Sequence, residues 1–153
     1  MLKNTYKLYT GTSKHSDQTI DITLVALKKN HRFGKAVNIG ALFANHDYLL
    51  VLNNDVQPEP ECVLPALQPF ADPHVFGVGF LEYQDAQKKE ASGKNNLWFE
   101  KGLFRHSRAT EMTAGETAWV SGGSGIFRTD LWFRLQGFDP DFYPAYWEDI
   151  DLS

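Results

Sequence analysis

Cysteine is nearly absent. Cys62 is the only one in 153 residues, which excludes an intrachain disulfide and any zinc site built on paired cysteines. The five histidines, His15, His31, His46, His74 and His106, show no HExxH spacing. No apolar run approaches the roughly 20 residues that a membrane-spanning helix needs. The opening MLKNTYKLYT also lacks the apolar core of a signal peptide. A large excess of one charge is missing too: the net charge is −4, so no global basic field draws in nucleic acid, and an anionic ligand must be held by local groups or a metal. Neither G-x-x-x-x-G-K-[ST] nor a G-x-G-x-x-G after a strand occurs, which disfavours nucleoside triphosphatases and dinucleotide-dependent dehydrogenases. One cysteine and no leader together point to a reducing, cytoplasmic setting.

What is present suffices for one packed domain. Apolar residues make up 42% and aromatics 14%, with only 22% charged, which is not a disordered composition. Ile22–Leu27 (ITLVAL) reads as a buried strand. Phe33, Val37, Ala41 and Ala44 then recur at helical spacing, giving about three turns of helix stopped by Asn45, His46 and Asp47. Tyr48–Leu52 (YLLVL) is too short for a helix and reads as a central parallel strand covered on both faces. Glu59–Phe70 reads as helical, kinked or shortened by Pro65, and Val75–Phe80 as a third strand. This alternation predicts an α/β domain with a mostly parallel sheet, whose ligands bind beyond the carboxyl ends of the strands. Asn53, Asn54 and Asp55 follow the second strand directly.

Residues 82–117 change character. They are polar and carry six Lys or Arg residues between Lys88 and Arg108. The segment is either a solvated excursion or an acceptor-side flap, with Trp98, Phe99, Leu103 and Phe104 closing over a ligand. Beyond it, Thr129 or Asp130 can cap a short helix through Leu135, with Gly137 as its left-handed C-terminal cap. The chain closes with five carboxylates in the thirteen residues from Asp139 to Asp151, where a further helix begins.

Three constellations carry chemistry, each with a plainer alternative. LNNDV puts a carboxylate beside two amides at a strand end, an oxygen site for Mg²⁺ or Mn²⁺, although Asn and Asp there also simply form turns. WEDIDLS sets Glu148, Asp149 and Asp151 at a helix start, where they serve as a general base or as ordinary helix-start acids. SGGSG lets backbone N–H groups approach a ligand, or allows a tight turn.

In this order the segments NHRFGKAVNIGALFANHDYLLVLNNDVQPEP, WVSGGSGIFRTDLW and GFDPDFYPAYWEDIDLS, about four fifths of the chain from Asn30 onward, resemble the family-2 glycosyltransferases, particularly the rhamnosyltransferase-like branch. The resemblance implies a GT-A fold: a mostly parallel, Rossmann-like sheet sandwiched by helices. It implies inverting, metal-dependent transfer from a dTDP- or UDP-sugar to a glycan or lipid-linked acceptor in bacterial surface polysaccharide synthesis. It assigns Asp55 to the metal (Mg²⁺ or Mn²⁺), with Asn53 replacing the first Asp of a DxD-type motif. Lys35, Asn38, Asn53, Asn54, Gly122 and Gly123 fall to the donor, and Asp149 is the catalytic base of an ED motif.

Against the family pattern, Asp17 and Thr19 fit only the tail of the nucleoside-binding motif, and Arg32 replaces an expected glycine. An initial strand and helix, a C-terminal helix and a downstream His are not present. Residues 1–153 are therefore expected to be one partial domain, truncated at both ends. Residues 1–81 form its nucleotide-sugar half, 82–117 the excursion, and 118–153 the acceptor-side, catalytic segment. A seat at the inner face of the membrane, through the missing segments, is compatible with this. The alternative is a relic of the same fold that binds a nucleotide or partner without turnover. A sugar-nucleotide pyrophosphorylase would need a Gly-rich, Arg-containing signature that the chain lacks.

Overall fold

The computed structural model describes residues 6–15, 17–84, 87 and 90–153. Lys88, one end of the basic stretch in the excursion, lies outside the described residues. The first two strands, β1 (Tyr6–His15) and β2 (Gln18–Leu27), pair with each other in an antiparallel hairpin. Ile22–Leu27 is thus a strand as expected, but none of it is buried and it pairs with none of the later strands. Apolar β-branched composition fits a pleated strand; it does not state what the strand packs on.

Helix α1 (Arg32–Ala41) buries Ile39 and Ala41. Turn hydrogen bonds from Phe43 N to Gly40 O and from Ala44 N to Ala41 O end it at 3.0 Å each, one turn before the periodicity runs out. Its first residue, Arg32, has φ 60°, a left-handed backbone that only glycine adopts without cost. That is the position where the resemblance leads one to expect glycine.

The main sheet has the order β3–β9–β4, from β3 (Tyr48–Leu52), β9 (Ser124–Arg128) and β4 (Gly77–Gly79). β9 runs antiparallel to both neighbours, so β3 and β4 point the same way but are not bonded to each other. The expected mostly parallel sheet is corrected here: each strand pairing among the described residues is antiparallel. An apolar run carries no information about the direction of its neighbour. β3 has its predicted bounds, yet only Val51 is buried and Tyr48, Leu50 and Leu52 are exposed. It is an edge strand among the described residues, and β9, buried at Ser124, Gly125, Ile126 and Phe127, takes the centre.

The helical stretch expected from Glu59 is shorter, α2 (Val63–Leu67) followed by a 3₁₀ turn over Gln68–Ala71. Pro65 is its third residue, where the missing N–H is one of the four that a helix start leaves unpaired anyway. Arg128 ties this region to β9. Its Nε donates to Val75 O at 2.8 Å and its Nη2 to Phe70 O at 2.7 Å, while the guanidinium sits 5.3 Å from the Phe70 ring centroid.

The excursion contains two small ladders, β5 (Glu82–Tyr83) with β6 (Ala91–Ser92), and the hairpin β7 (Asn95–Glu100) with β8 (Leu103–Arg108). After β9, α3 (Thr129–Arg134) follows directly. Arg128 occupies its N-cap position without a side-chain cap. Thr129 does not cap it either, since its Oγ1 is buried with no hydrogen-bond partner among the described residues. At the other end Gly137 is left-handed as expected, φ 66°, and donates to Trp132 O at 2.9 Å. The last helix is α4 (Glu148–Leu152).

One aromatic series holds these elements together. Phe33 of α1 meets Phe138 at 5.6 Å between centroids, Phe138 meets Trp132 of α3 at 4.9 Å, Trp132 meets Phe127 of β9 at 5.1 Å, and Phe127 meets Phe76 at 5.4 Å. Each tilted or edge-to-face contact adds about 0.5–1.5 kcal/mol beyond area burial.

Candidate functional site

The turn Ser121–Gly122–Gly123 is where three distant segments meet. It enters β9, so it lies beside the carboxyl end of antiparallel β3, and Asn53 N donates to Gly123 O at 2.8 Å. A Cβ on Gly123 would stand 2.5 Å from Asn53 Nδ2. A Cβ on Gly122 would stand 3.0 Å from both Phe138 Cζ and Phe33 Cε1. A side chain at either position would have to displace a neighbour, the aromatic series at one residue of the turn and the Asn53 amide at the next. From α4, Asp149 Oδ2 accepts a hydrogen bond from Gly122 N at 3.4 Å, and its Oδ1 accepts from Ile150 N at 2.9 Å. The structure thus brings Asn53, Gly122, Gly123 and Asp149 together.

Asn54 and Asp55 follow Asn53 in a turn closed by Val56 N to Asn53 O at 3.2 Å, and both are exposed. Nothing among the described residues gathers three His, Cys, Asp or Glu side chains as a metal cage. One exposed carboxylate beside two amides is nevertheless the hard-oxygen set that Mg²⁺ or Mn²⁺ accepts when phosphate and water complete the shell. The donor set fits a cation shared with a diphosphate.

Lys35 and Asn38 lie on α1. Asn38 Nδ2 donates to Phe138 O at 2.7 Å and its Oδ1 accepts from Phe138 N at 3.0 Å, so both ends of the amide are engaged by one backbone residue. Lys35 is exposed and lines a crevice of about 30 Å³ with His31, Arg32, Tyr143 and Glu148. Glu148 itself is buried, 7% exposed, and its Oε2 has no hydrogen-bond partner among the described residues.

Sequence reading missed the residues that hold the Glu148–Asp151 segment. Trp147, directly before Glu148, has φ 88°, a left-handed conformation costing about 1–3 kcal/mol for a side chain of this kind. His106 of β8 packs edge-to-face on Trp147 at 5.4 Å and on Trp119 at 5.6 Å. The excursion therefore reaches back to the ED segment through His106. The available signal was slight: a single histidine in the polar half of LFRHSR. A cavity of about 730 Å³ lies elsewhere, between β4 and residues 112–120, and reaches Ser153, just beyond α4. There Ser153 Oγ donates to Asp149 O at 2.9 Å and accepts from Val120 N at 3.1 Å.

Comparison with known proteins decides the family. The profile described as glycosyl transferase family 2 matches residues 5–132. The chain belongs to glycosyl transferase family 2. No curated protein and no solved structure matches it. Membership supports glycosyl transfer in general and implies the GT-A fold, here with the antiparallel pairing already described. The matched stretch takes in Asn53–Asp55 and the glycine turn and ends before Asp149. Family members bind nucleotide-sugar donors and acceptors. No helix among the described residues is long and apolar enough to cross a membrane.

Proposed function

We propose that this family 2 glycosyltransferase transfers a sugar, with inversion, from a UDP- or dTDP-sugar to a glycan or lipid-linked acceptor, as in the rhamnosyltransferase-like branch that builds bacterial surface polysaccharides. The observation that carries the reading is the convergence at the glycine turn of Asn53 at the end of β3 and Asp149 at the start of α4. Residues 1–81 supply the donor side and 118–153 the acceptor side. The Asp149 carboxylate takes the proton of the attacking acceptor hydroxyl. That oxygen bonds to the anomeric carbon as the bond from carbon to the donor phosphate breaks, and the nucleoside diphosphate leaves with the electron pair. A Mg²⁺ or Mn²⁺ ion at Asp55 would supply Lewis-acid neutralisation of the diphosphate. Asn53, Asn54 and Lys35 orient the donor, Gly122 and Gly123 let it approach the backbone, and Asn38 acts from behind by fixing Phe138 against the turn.

Calorimetric titration with UDP and dTDP tests this. Binding should need Mg²⁺ or Mn²⁺, and Asp55→Ala should abolish that requirement without unfolding the chain, because Asp55 is exposed. Equal affinity with and without chelator would remove the metal site. Metal-dependent binding without diphosphate release or transfer, in the presence of acceptor, would instead assign the domain as a non-catalytic nucleotide binder.

A further inference from the structure

The tip of the β7–β8 hairpin carries large apolar side chains on both faces. Cross-strand partners share a face, so Phe99 and Phe104 lie on one side and Trp98 and Leu103 on the other, given the register Phe99↔Phe104, Trp98↔Arg105 and Glu100↔Leu103. All four are exposed: Trp98 44%, Phe99 65%, Leu103 58% and Phe104 60%. The strands turn through Lys101 (φ 51°) and Gly102 (φ 82°), the two left-handed positions of a tight two-residue hairpin loop. The Phe99 and Phe104 rings pack at 5.3 Å, so the tip is a formed element. Its base is fastened by Ala109 N to Lys94 O at 2.9 Å, by Ala118 N to Asn95 O at 3.0 Å, and by the contacts of His106.

A hairpin that docks on a protein surface needs one apolar face. The β1–β2 hairpin is closer to that form, with Tyr9, Ile20, Ile22 and Leu24 exposed on one side and Leu8 exposed on the other. Large apolar side chains on both faces of one tip, with charged Glu100 and Arg105 beside Trp98 and Leu103, suit a medium that surrounds the tip and is polar and apolar by turns. The charge is also distinctive: Lys94, Lys101, Arg105 and Arg108 stand against Glu100 alone, in a chain of net charge −4. Aromatic side chains interleaved with Lys and Arg favour the headgroup layer of a bilayer, and the cations favour anionic lipid.

We propose that the β7–β8 tip inserts into the interface of an anionic membrane and holds the protein there without a spanning helix. Through His106 and Trp147 the inserted hairpin is continuous with the Glu148–Asp149 segment, so docking would set that segment at the membrane surface. The proposal stands on the hairpin's own geometry and does not depend on the transfer reaction.

Co-sedimentation of the full chain with vesicles, without nucleotide, tests it. The protein should bind vesicles of phosphatidylcholine with 30% phosphatidylglycerol (a test composition of roughly physiological anionic content) and bind pure phosphatidylcholine at least tenfold more weakly. Lys101→Gln with Arg105→Gln should weaken binding by roughly 25-fold, about fivefold per cation. Phe99→Ser with Phe104→Ser, and separately Trp98→Ser with Leu103→Ser, should each reduce it by more than tenfold. Loss with only one of the two apolar pairs would overturn the two-faced insertion and mark a one-sided docking surface. So would absence of vesicle binding combined with concentration-dependent dimerisation abolished by Phe99→Ser, which would assign the tip to a second copy of the chain. Unchanged binding in both apolar variants also contradicts the proposal.

Discussion

Replacing Asn38 by Ala removes a clamp whose two halves can be weighed separately. Asn38 Nδ2 to Phe138 O spans 2.7 Å and Phe138 N to Asn38 Oδ1 spans 3.0 Å, both in part-buried surroundings. Each such bond contributes about 1 kcal/mol net, and a backbone group left unpaired away from water adds a penalty of about 1–3 kcal/mol. Phe138 itself is 1% exposed, so water reaches its N–H and C=O poorly and the penalty is only partly relieved. The loss should therefore be about 2–4 kcal/mol, large against the marginal stability of a domain this size. Urea unfolding followed by tryptophan fluorescence reads it directly, because Trp132 packs edge-to-face on Phe138 at 4.9 Å. Asn38→Asp should lie between wild type and Asn38→Ala, keeping an acceptor for Phe138 N–H while setting an oxygen against Phe138 O. A change below about 0.5 kcal/mol with an unaltered denaturant slope would refute the clamp. If nucleotide affinity fell while stability held, Asn38 would be a donor contact instead.

Two further outcomes follow from backbone geometry. Gly123→Ala should lower nucleotide affinity about tenfold, equivalent to about 1.4 kcal/mol, because its Cβ displaces the Asn53 amide; an unchanged Kd by calorimetry would separate Asn53 from the site. Arg32→Gly should raise stability by about 1 kcal/mol by relieving a left-handed side chain, read as a higher thermal midpoint, and a lower midpoint would contradict the strain.

Local features were legible in the sequence, and their partners were not. The bounds of β3, the start of α1, the left-handed Gly137 and the helix opening at Glu148 all follow from apolar spacing and capping chemistry, which act within a few residues. What failed was pairing. YLLVL looks like a covered central strand, but the neighbour that flanks it is β9, whose Ser124–Gly125 start hides a strand inside a glycine run. ITLVAL looks buried and instead pairs with the YKLYTGTSKH strand preceding it. The first depends on a contact between distant segments and the second on a hairpin with no apolar partner for its outer face, and composition encodes neither. For the candidate site, the resemblance named NND, SGGSG and ED separately. That Asp149 lies against Gly122, and Asn53 over Gly123, follows from the tertiary fold and from no motif. The link from His106 to Trp147 had no motif to announce it.

The most direct measurement of the central claim is release of nucleoside diphosphate from UDP- and dTDP-sugars with Mn²⁺ and acceptor present, comparing wild type with Asp149→Asn and Glu148→Gln. General-base contributions run to about 10²–10⁴ in rate. Asp149→Asn should lower turnover by about that factor and leave donor affinity nearly unchanged, with Glu148→Gln much less affected. Near-normal turnover in Asp149→Asn, with loss in Glu148→Gln, would contradict the assignment of the base and with it the catalytic meaning given to the contact between Asp149 and the glycine turn.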